Sequence, residues 1–187
     1  MKLQTSVLLS VLVACSLCGH AGELIPVPGN PPAEALALKD LGGHTHRLEN
    51  YRGKVVLLNF WASWCTPCLL EMPSLQQLQD EFSGTPFTIL AVNVQESRER
   101  VWRFRQLLDL DFIVLLDTDG SAAGDWDVSL YPTSYLIDTA GNIRFVSYGP
   151  RDWYSEEVYR EIEVLQKSGR ESAHAAIPAL NDPVLPE

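Results

Sequence analysis

One stretch decides the fold: residues 54–68, which read KVVLLNFWASWCTPC. Its first half is an apolar run that begins at a lysine, and such a run is typical of a buried β-strand. Its second half places Cys65 and Cys68 three positions apart, which is about one turn of a helix. The stretch therefore predicts a strand that runs into a helix, with a dithiol in the first turn of that helix.

The position of the dithiol predicts unequal roles for its two sulfurs. At a helix start, unpaired backbone N–H groups and the helix dipole favour an anion, so we expect the thiolate of Cys65 to be stabilised. The thiolate is the form that attacks a disulfide, which makes Cys65 the predicted nucleophile. Cys68, further into the helix, can then attack the mixed disulfide and release the partner. The pair predicts thiol–disulfide exchange.

Two other uses of this cysteine pair fit the sequence less well. A disulfide across such a short loop would restrict the unfolded chain little, so stability is a weak reason for it. A structural zinc site needs four ligands, and the chain beyond its first 21 residues contains no second Cys-x-x-Cys and no His-x-x-x-His. We therefore predict neither a metal nor a separate cofactor.

Residues 1–21 predict an export signal. A lysine precedes an apolar run that is too short for a membrane span. Two processing routes fit: cleavage after Ala21, or lipidation of Cys15 at a lipobox-like Leu-Val-Ala-Cys. We favour lipidation, which would add more than one lipid chain and anchor the protein to a membrane. Both routes predict a bacterial periplasmic protein, membrane-anchored or soluble, and neither gives Cys18 a redox role.

The rest of the chain predicts one folded domain between two irregular segments. Residues 22–33 are rich in proline and predict an extended linker, residues 34–168 predict the domain, and residues 169–187 predict a disordered tail. The formal net charge of −10 argues against nucleic acid as a partner, since phosphate binding requires clustered Lys and Arg.

Strands and helices alternate along this domain. Apolar runs predict a short hairpin within residues 35–48, later strands at 87–94 and 112–116, and a second hairpin formed by 135–138 and 143–148. Apolar periodicity predicts helices at 97–110, 121–127 and 152–167. The pattern predicts an α/β protein with a mixed sheet flanked by helices.

Three aromatic side chains are not explained by these patterns. His44 and His46 lie at the polar turn of the first hairpin, which favours a solvated pair over metal ligands. Trp102 is off the apolar stripe of its helix, and we favour partial burial under a loop over a docking surface.

Three segments together resemble the TlpA/ResA-like branch of the thioredoxin superfamily: residues 59–68, the Glu-Met-Pro at 71–73, and YPTSYLIDTAG at 131–141. The resemblance extends over about residues 33–167. It implies a thioredoxin fold with an N-terminal β-hairpin and an inserted strand and helix. It also implies a bacterial thiol–disulfide oxidoreductase that receives electrons from a membrane donor and reduces exported partner proteins, notably apocytochrome c or copper-site assembly proteins.

The resemblance also implies roles for residues around the dithiol. Pro132 matches the proline that this superfamily holds in cis beside the dithiol, where the backbone of its neighbours, here Tyr131 and Thr133, pairs with an extended substrate segment. Trp64 is expected to shield the thiol and to contact the substrate, although packing alone would also explain it. Thr66 and Pro67, between the cysteines, are expected to contact the substrate and tune the reduction potential.

One position departs from the cytoplasmic thioredoxins. Asn59 stands where those proteins carry a buried acid, so proton transfer at Cys68 needs another group. Glu71, three residues after Cys68 on the same helix, is the predicted replacement. A solvated charge on the helix surface is the alternative for Glu71.

Two further functions remain alternatives. A thioredoxin-like peroxidase would need a Pro-x-x-x-Thr-x-x-Cys segment, whereas Ala62 and Ser63 occupy the approach to Cys65. A copper-binding assembly module would need Cys-x-x-x-Cys and a distant histidine, whereas two residues separate these cysteines and His174 lies in the predicted tail.

Overall fold

The structure is a computed structural model that describes residues 22–175. Its strands are β1 Ile25–Pro26, β2 Ala37–Asp40, β3 Thr45–Arg47, β4 Val55–Trp61, β5 Phe87–Val94, β6 Ile113–Asp117, β7 Thr133–Ile137 and β8 Ile143–Tyr148. Its α-helices are α1 Thr66–Glu81, α2 Arg98–Leu107, α3 Ser121–Asp125 and α4 Glu156–Ala175. Within these residues, no helix is long and apolar enough to cross a membrane.

The eight strands form one mixed sheet in the order β1-β8-β7-β4-β5-β6-β2-β3. The pairs β4–β5 and β5–β6 are parallel, and every other neighbouring pair is antiparallel. All residues of β4 and β5 are buried, because both faces of the sheet are covered, and this explains their nearly continuous apolar sequences. The predicted mixed sheet and N-terminal hairpin are confirmed.

Alternate residues of β4 supply two cores. Val55, Leu57 and Trp61 join the core beneath α1, α2 and α4, whereas Val56, Leu58 and Phe60 join the core beneath α3. This division follows from the two-residue period of a strand, which sends successive side chains to opposite faces. Strand β4 therefore fixes the position of the loop that leads from Trp61 into α1.

The N-terminal segment differs from its prediction. The extended linker expected at residues 22–33 is instead hydrogen-bonded to the sheet, with β1 antiparallel to β8. Gly22 N donates to Tyr148 O at 2.8 Å, and Val27 N donates to Arg144 O at 2.9 Å. Leu24 is buried in the core. The linker prediction is wrong for this segment, because prolines are tolerated where a strand forms the edge of a sheet.

The C-terminal helix is longer than predicted. We expected a helix at 152–167 and a disordered tail at 169–187, but α4 begins at Glu156 and continues to Ala175. Position 169 is a glycine close to the Thr139 side chain, where a Cβ atom would lie 2.2 Å from the Thr139 hydroxyl. His174 lies in the last turn of α4. The predicted signal, including Cys15, and residues 176–187 lie outside the described residues.

Two surface predictions also change. His46 is not solvated, because its Nε2 lies 3.1 Å from Asp40 Oδ2 and its Nδ1 lies 2.6 Å from the Tyr51 hydroxyl. Its neighbour His44 also contacts Asp40 but remains exposed. Trp102 is 51% exposed, which is more open than the predicted partial burial under a loop. Within the described residues, no group of three or more His, Cys, Asp or Glu side chains could hold a metal ion.

The docking of β1 predicts a stability effect. Leu24→Ala should lower the free energy of unfolding by about 3 kcal/mol, since it removes a buried leucine from the core. Leu107→Ala is the matched control, because Leu107 is 77% exposed and its truncation should cost less than about 0.5 kcal/mol. Urea denaturation measures both values. Equal stability of the two variants would show that β1 is not packed on the sheet in solution.

Candidate active site

The dithiol lies at the start of α1, as predicted. Cys65 is the N-cap of the helix, and its Sγ accepts a hydrogen bond from Cys68 N at 3.2 Å. Pro67 occupies the first turn, where the missing N–H of a proline costs nothing. The two sulfurs form a disulfide, in which Cys65 retains slight exposure and Cys68 has none. The geometry leaves Cys65 as the more accessible of the two cysteines.

Glu71 lies one turn further along α1 and is only 2% exposed. Its carboxylate accepts hydrogen bonds from Asn59 Nδ2 at 2.8 Å, from Trp153 Nε1 at 2.9 Å and from the backbone N of Arg151 at 3.3 Å. The alternative of a solvated helix charge is therefore wrong. Sequence reasoning missed Trp153 and Arg151, which are about 80 residues from Glu71 and show no local pattern that points to it.

Burial raises the pKa of Glu71 to about 7, although hydrogen bonds from Trp153, Asn59 and Arg151 act in the opposite direction. A carboxyl group with this pKa exists in both protonation states near neutral pH. Residues three apart on a helix are neighbours, so Glu71 lies beside Cys68. The arrangement is chemically able to take a proton from the Cys68 thiol or to return one.

Asn59 connects Glu71 to the centre of the sheet. It is fully buried in β4, and its Nδ2 donates both to Glu71 and, at 2.9 Å, to the hydroxyl of Ser134 in β7. These bonds use both hydrogens of the amide. Asn59 therefore orients the Glu71 carboxylate from a rigid strand.

The Tyr131–Pro132 peptide bond is cis. The next residue, Thr133, pairs with Phe60 near the end of β4, which brings this segment to the loop before the dithiol. The Tyr131 ring meets the Trp64 ring edge-on, with centroids 5.7 Å apart. The Thr133 side chain is buried and donates to Leu130 O at 2.8 Å, so its hydroxyl shapes this segment and does not face a substrate.

The residues at the rim of the dithiol are open to solvent. Trp64 is 62% exposed, so packing alone does not explain it. Thr66 and Pro67 are also exposed. Leu70 on α1 and Leu130 before the cis bond add further exposed apolar surface. An apolar rim of this kind is suited to contact with another protein.

A second buried carboxylate lies on another side of the dithiol loop. Glu96, in the segment between β5 and α2, accepts hydrogen bonds from both the backbone N and the hydroxyl of Ser63. Asn93 donates a further hydrogen bond to it, and Arg100 forms an ion pair with it. Burial alone would raise the pKa of Glu96, but the Ser63 and Asn93 hydrogen bonds and the Arg100 charge hold it below its usual value. Sequence reasoning did not identify this cluster.

The hydrogen bonds to the Glu71 carboxylate lead to a testable prediction. Trp153→Phe should raise the pKa of Glu71 above about 7, because the lost indole N–H stabilises the charged carboxylate. Trp126→Phe is the matched control, since Trp126 is also buried and its indole N–H has no hydrogen-bond partner. Carbon-13 NMR of labelled glutamate, recorded across pH 4 to 9, measures the titration. An unchanged Glu71 titration in Trp153→Phe would contradict the hydrogen-bond geometry.

Comparison with known proteins places this site in a family. The model of the AhpC/TSA family matches residues 30–146. The thiol-disulfide oxidoreductase ResA of Geobacillus kaustophilus strain HTA426 is 34% identical over 167 residues, which cover 88% of this chain and 95% of that protein. The thioredoxin-like protein YneN of Bacillus subtilis strain 168 is 40% identical over 120 residues, or 63% of this chain and 69% of that protein.

Solved structures agree with these relatives. A putative thiol:disulfide interchange protein DsbE from Chlorobium tepidum is 30% identical, covers 73% of this chain and 96% of its own, and superposes with a TM-score of 0.67. A putative thioredoxin from Neisseria meningitidis is 29% identical, covers 79% and 99%, and gives a TM-score of 0.68. These likenesses confirm the predicted thioredoxin fold. The chain therefore belongs to the AhpC/TSA family and is a thiol–disulfide oxidoreductase of the TlpA/ResA-like kind within the thioredoxin superfamily.

Proposed function

We propose that this oxidoreductase reduces disulfides of exported proteins, with Cys65 as the nucleophile, Cys68 as the resolving thiol and Glu71 as the proton acceptor. One observation carries the proposal. A dithiol at the start of a helix is followed, one turn later, by a buried carboxyl group whose pKa is about 7. Such a group can serve as a general base at neutral pH, which an exposed glutamate would do poorly.

The first step forms a mixed disulfide. In the reduced protein, the Cys65 thiolate attacks one sulfur of the partner's disulfide, and the other partner sulfur leaves as a thiolate that takes a proton from water. The helix N-terminus, whose Cys68 N–H points at Cys65 Sγ, stabilises the attacking thiolate. Slight exposure of Cys65 gives the partner access to that sulfur.

The second step releases the partner. Cys68 gives its proton to Glu71 and attacks Cys65 Sγ, so the Cys65–Cys68 disulfide forms and the second partner sulfur leaves as a thiolate. That thiolate takes the proton back from Glu71, and the partner leaves as a dithiol. The reaction transfers two electrons to the partner. A membrane electron donor must then return two electrons to the Cys65–Cys68 disulfide, with one proton for the Cys68 thiol, since disulfides in the periplasm are kept oxidised.

The rim around the dithiol supports a protein as the substrate. Trp64, Thr66 and Pro67 would contact the partner beside Cys65, and the backbone of Tyr131 and Thr133 around the cis Pro132 would pair with an extended segment of it. Aromatic side chains with large exposed areas are favourable at protein interfaces. The buried hydroxyl of Thr133 would hold this segment in shape without touching the partner.

The resemblance and the sequence support a pathway for this protein. The TlpA/ResA-like kind supports apocytochrome c or copper-site assembly proteins as partners, and hence a role in cytochrome c maturation or metal-site assembly. The apolar N-terminus supports export to the bacterial periplasm, and the lipobox-like segment supports a lipid on Cys15 that tethers the domain to a membrane. The negative net charge is compatible with protein partners and argues against nucleic acid.

The order of the two sulfurs predicts distinct trapping behaviour. Cys65→Ser should abolish exchange, whereas Cys68→Ser should attack partners without releasing them. Each variant is purified from cells and run on a non-reducing gel, where mixed disulfides should accumulate only with Cys68→Ser. Accumulation with Cys65→Ser instead would reverse the assignment of the nucleophile.

The role of Glu71 predicts a change in the pH dependence of partner release. In the parent, release should rise as Glu71 ionises near pH 7, and Glu71→Gln should lack this rise and react about 100-fold more slowly at pH 7 to 8. Rapid-quench measurement of release from a mixed disulfide, from pH 5 to 9, gives both profiles. Glu81→Gln, at the exposed end of the same helix, is the control and should match the parent.

If Glu71→Gln shows the same pH profile of partner release as the parent, water or another group takes the proton of Cys68.

The proposed anchor predicts the mature N-terminus. Intact-mass analysis of the protein from a bacterial membrane fraction should show Cys15 as the first residue, carrying two or three acyl chains. Cys15→Ala should move the protein from the membrane fraction to the soluble periplasm. A mature chain that begins at Gly22 without lipid would rule the anchor out.

A further inference from the structure

The loop before the nucleophile is fastened by a polar cluster that the proposed mechanism does not use. The cluster consists of Ser63, Asn93, Glu96 and Arg100, and it joins the end of β4, the end of β5 and the first turn of α2. It shares no residue with the hydrogen bonds around Glu71 on α1, which come from Asn59 and Trp153.

The bonds of the cluster are short and converge on one carboxylate. Glu96 Oε2 accepts from Ser63 N at 2.6 Å and from Asn93 Nδ2 at 2.8 Å. Glu96 Oε1 accepts from the Ser63 hydroxyl at 2.5 Å and lies 2.7 Å from Arg100 Nε in an ion pair. The same Arg100 Nε lies 2.6 Å from Ser63 Oγ, which accepts from it. Ser63 is therefore held through its backbone and its side chain at once.

Stability alone explains this cluster poorly. The Glu96 side chain is 4% exposed, and the desolvation of a buried charge offsets most of what an ion pair contributes. Arg100 is 48% exposed, so its attraction to Glu96 is partly screened by solvent. What the bonds do achieve is geometric, because they immobilise Ser63, which lies between the end of β4 at Trp61 and the nucleophile Cys65.

Ser63 is two residues before Cys65, and the backbone N of Cys65 donates to Ala62 O at 3.1 Å on the other side of Ser63. The Ala62–Cys65 loop is thus closed by one internal hydrogen bond and clamped from outside by Glu96 and Arg100. Attack on a disulfide requires three sulfurs nearly in line, and reactions with such demands are sensitive to small misplacements of the nucleophile.

We propose that Glu96 and Arg100 are positioning residues for Cys65. Their hydrogen bonds with Ser63 hold the loop, so that Cys65 Sγ stays aligned with an incoming disulfide after the Cys65–Cys68 bond is reduced. This inference rests on the proposed function, in which Cys65 is the nucleophile. Neither residue is required to touch the partner or to exchange a proton.

The test uses the reduced protein and 2,2′-dithiodipyridine, an uncharged disulfide that excludes electrostatic steering of the probe. Cys65 attack releases one thiopyridone, and Cys68 attack on the mixed disulfide releases a second. The rate of the first release is recorded by stopped flow from pH 5 to 9, together with the thermal midpoint of each variant. The rate at high pH, where the thiolate is fully formed, reports alignment alone.

Glu96→Gln should lower this high-pH plateau rate by about tenfold, since it weakens charge-assisted bonds to both groups of Ser63. Ser63→Ala keeps the backbone bond and should lower the plateau less. Glu99→Gln makes the same change on an exposed turn of α2 and should stay within about twofold of the parent. If Glu96→Gln does not fold, Ser63→Ala alone decides the question.

An unchanged plateau rate in Glu96→Gln would overturn the inference. An unchanged plateau with a shifted midpoint of the pH profile would mean that Glu96 acts only through its charge. An unchanged plateau with a lower thermal midpoint would mean that the cluster is only structural. A parent that fails to react, or a Cys65→Ser variant that reacts as fast, would instead overturn the proposed function itself, so the two failures are distinguishable.

Discussion

The structure depends on the burial of one carboxyl group. Glu71 lies on the buried face of α1, and a carboxyl group removed from water is costly unless donors surround it. Asn59 of β4, Trp153 and the backbone of Arg151 supply those donors. Because these groups come from the centre of the sheet and from the segment between β8 and α4, satisfying Glu71 requires those parts of the fold to be assembled around α1.

A second carboxylate in the same region has the opposite character. Burial dominates at Glu71 and raises its pKa to about 7, whereas hydrogen bonds and the Arg100 charge dominate at Glu96 and lower its pKa. Two titratable groups whose environments drive their pKa values apart are suited to different tasks. The group that titrates near neutral pH can exchange a proton with Cys68, and the group that stays charged can hold the Ser63 loop continuously.

The sequence predicted those parts of the molecule that local pattern determines. The strands β5 and β8 have the predicted bounds, and Cys65 caps α1, because apolar runs and helix-start chemistry are local signals. The sequence does not predict β1, because a proline-rich composition does not reveal that the segment pairs with β8. It also does not predict the extension of α4 to Ala175, because composition alone is a poor guide to where a helix ends. Glu71 was found through its spacing from Cys68. Its partners Trp153 and Arg151 were not, because only the folded chain brings them near.

Buried polar groups thus lie behind the dithiol, and exposed apolar side chains surround it on the protein surface. Trp64, Leu70 and Leu130 are exposed around it, although the chain as a whole carries a net charge of −10. Repulsion between like charges would disfavour acidic partners at long range. Contact with the exposed apolar side chains would favour partners that offer an apolar, extended segment. Selection of a partner would then depend on which proteins can place an extended segment across Trp64 and the cis Pro132, and the buried carboxylates would act on every partner alike.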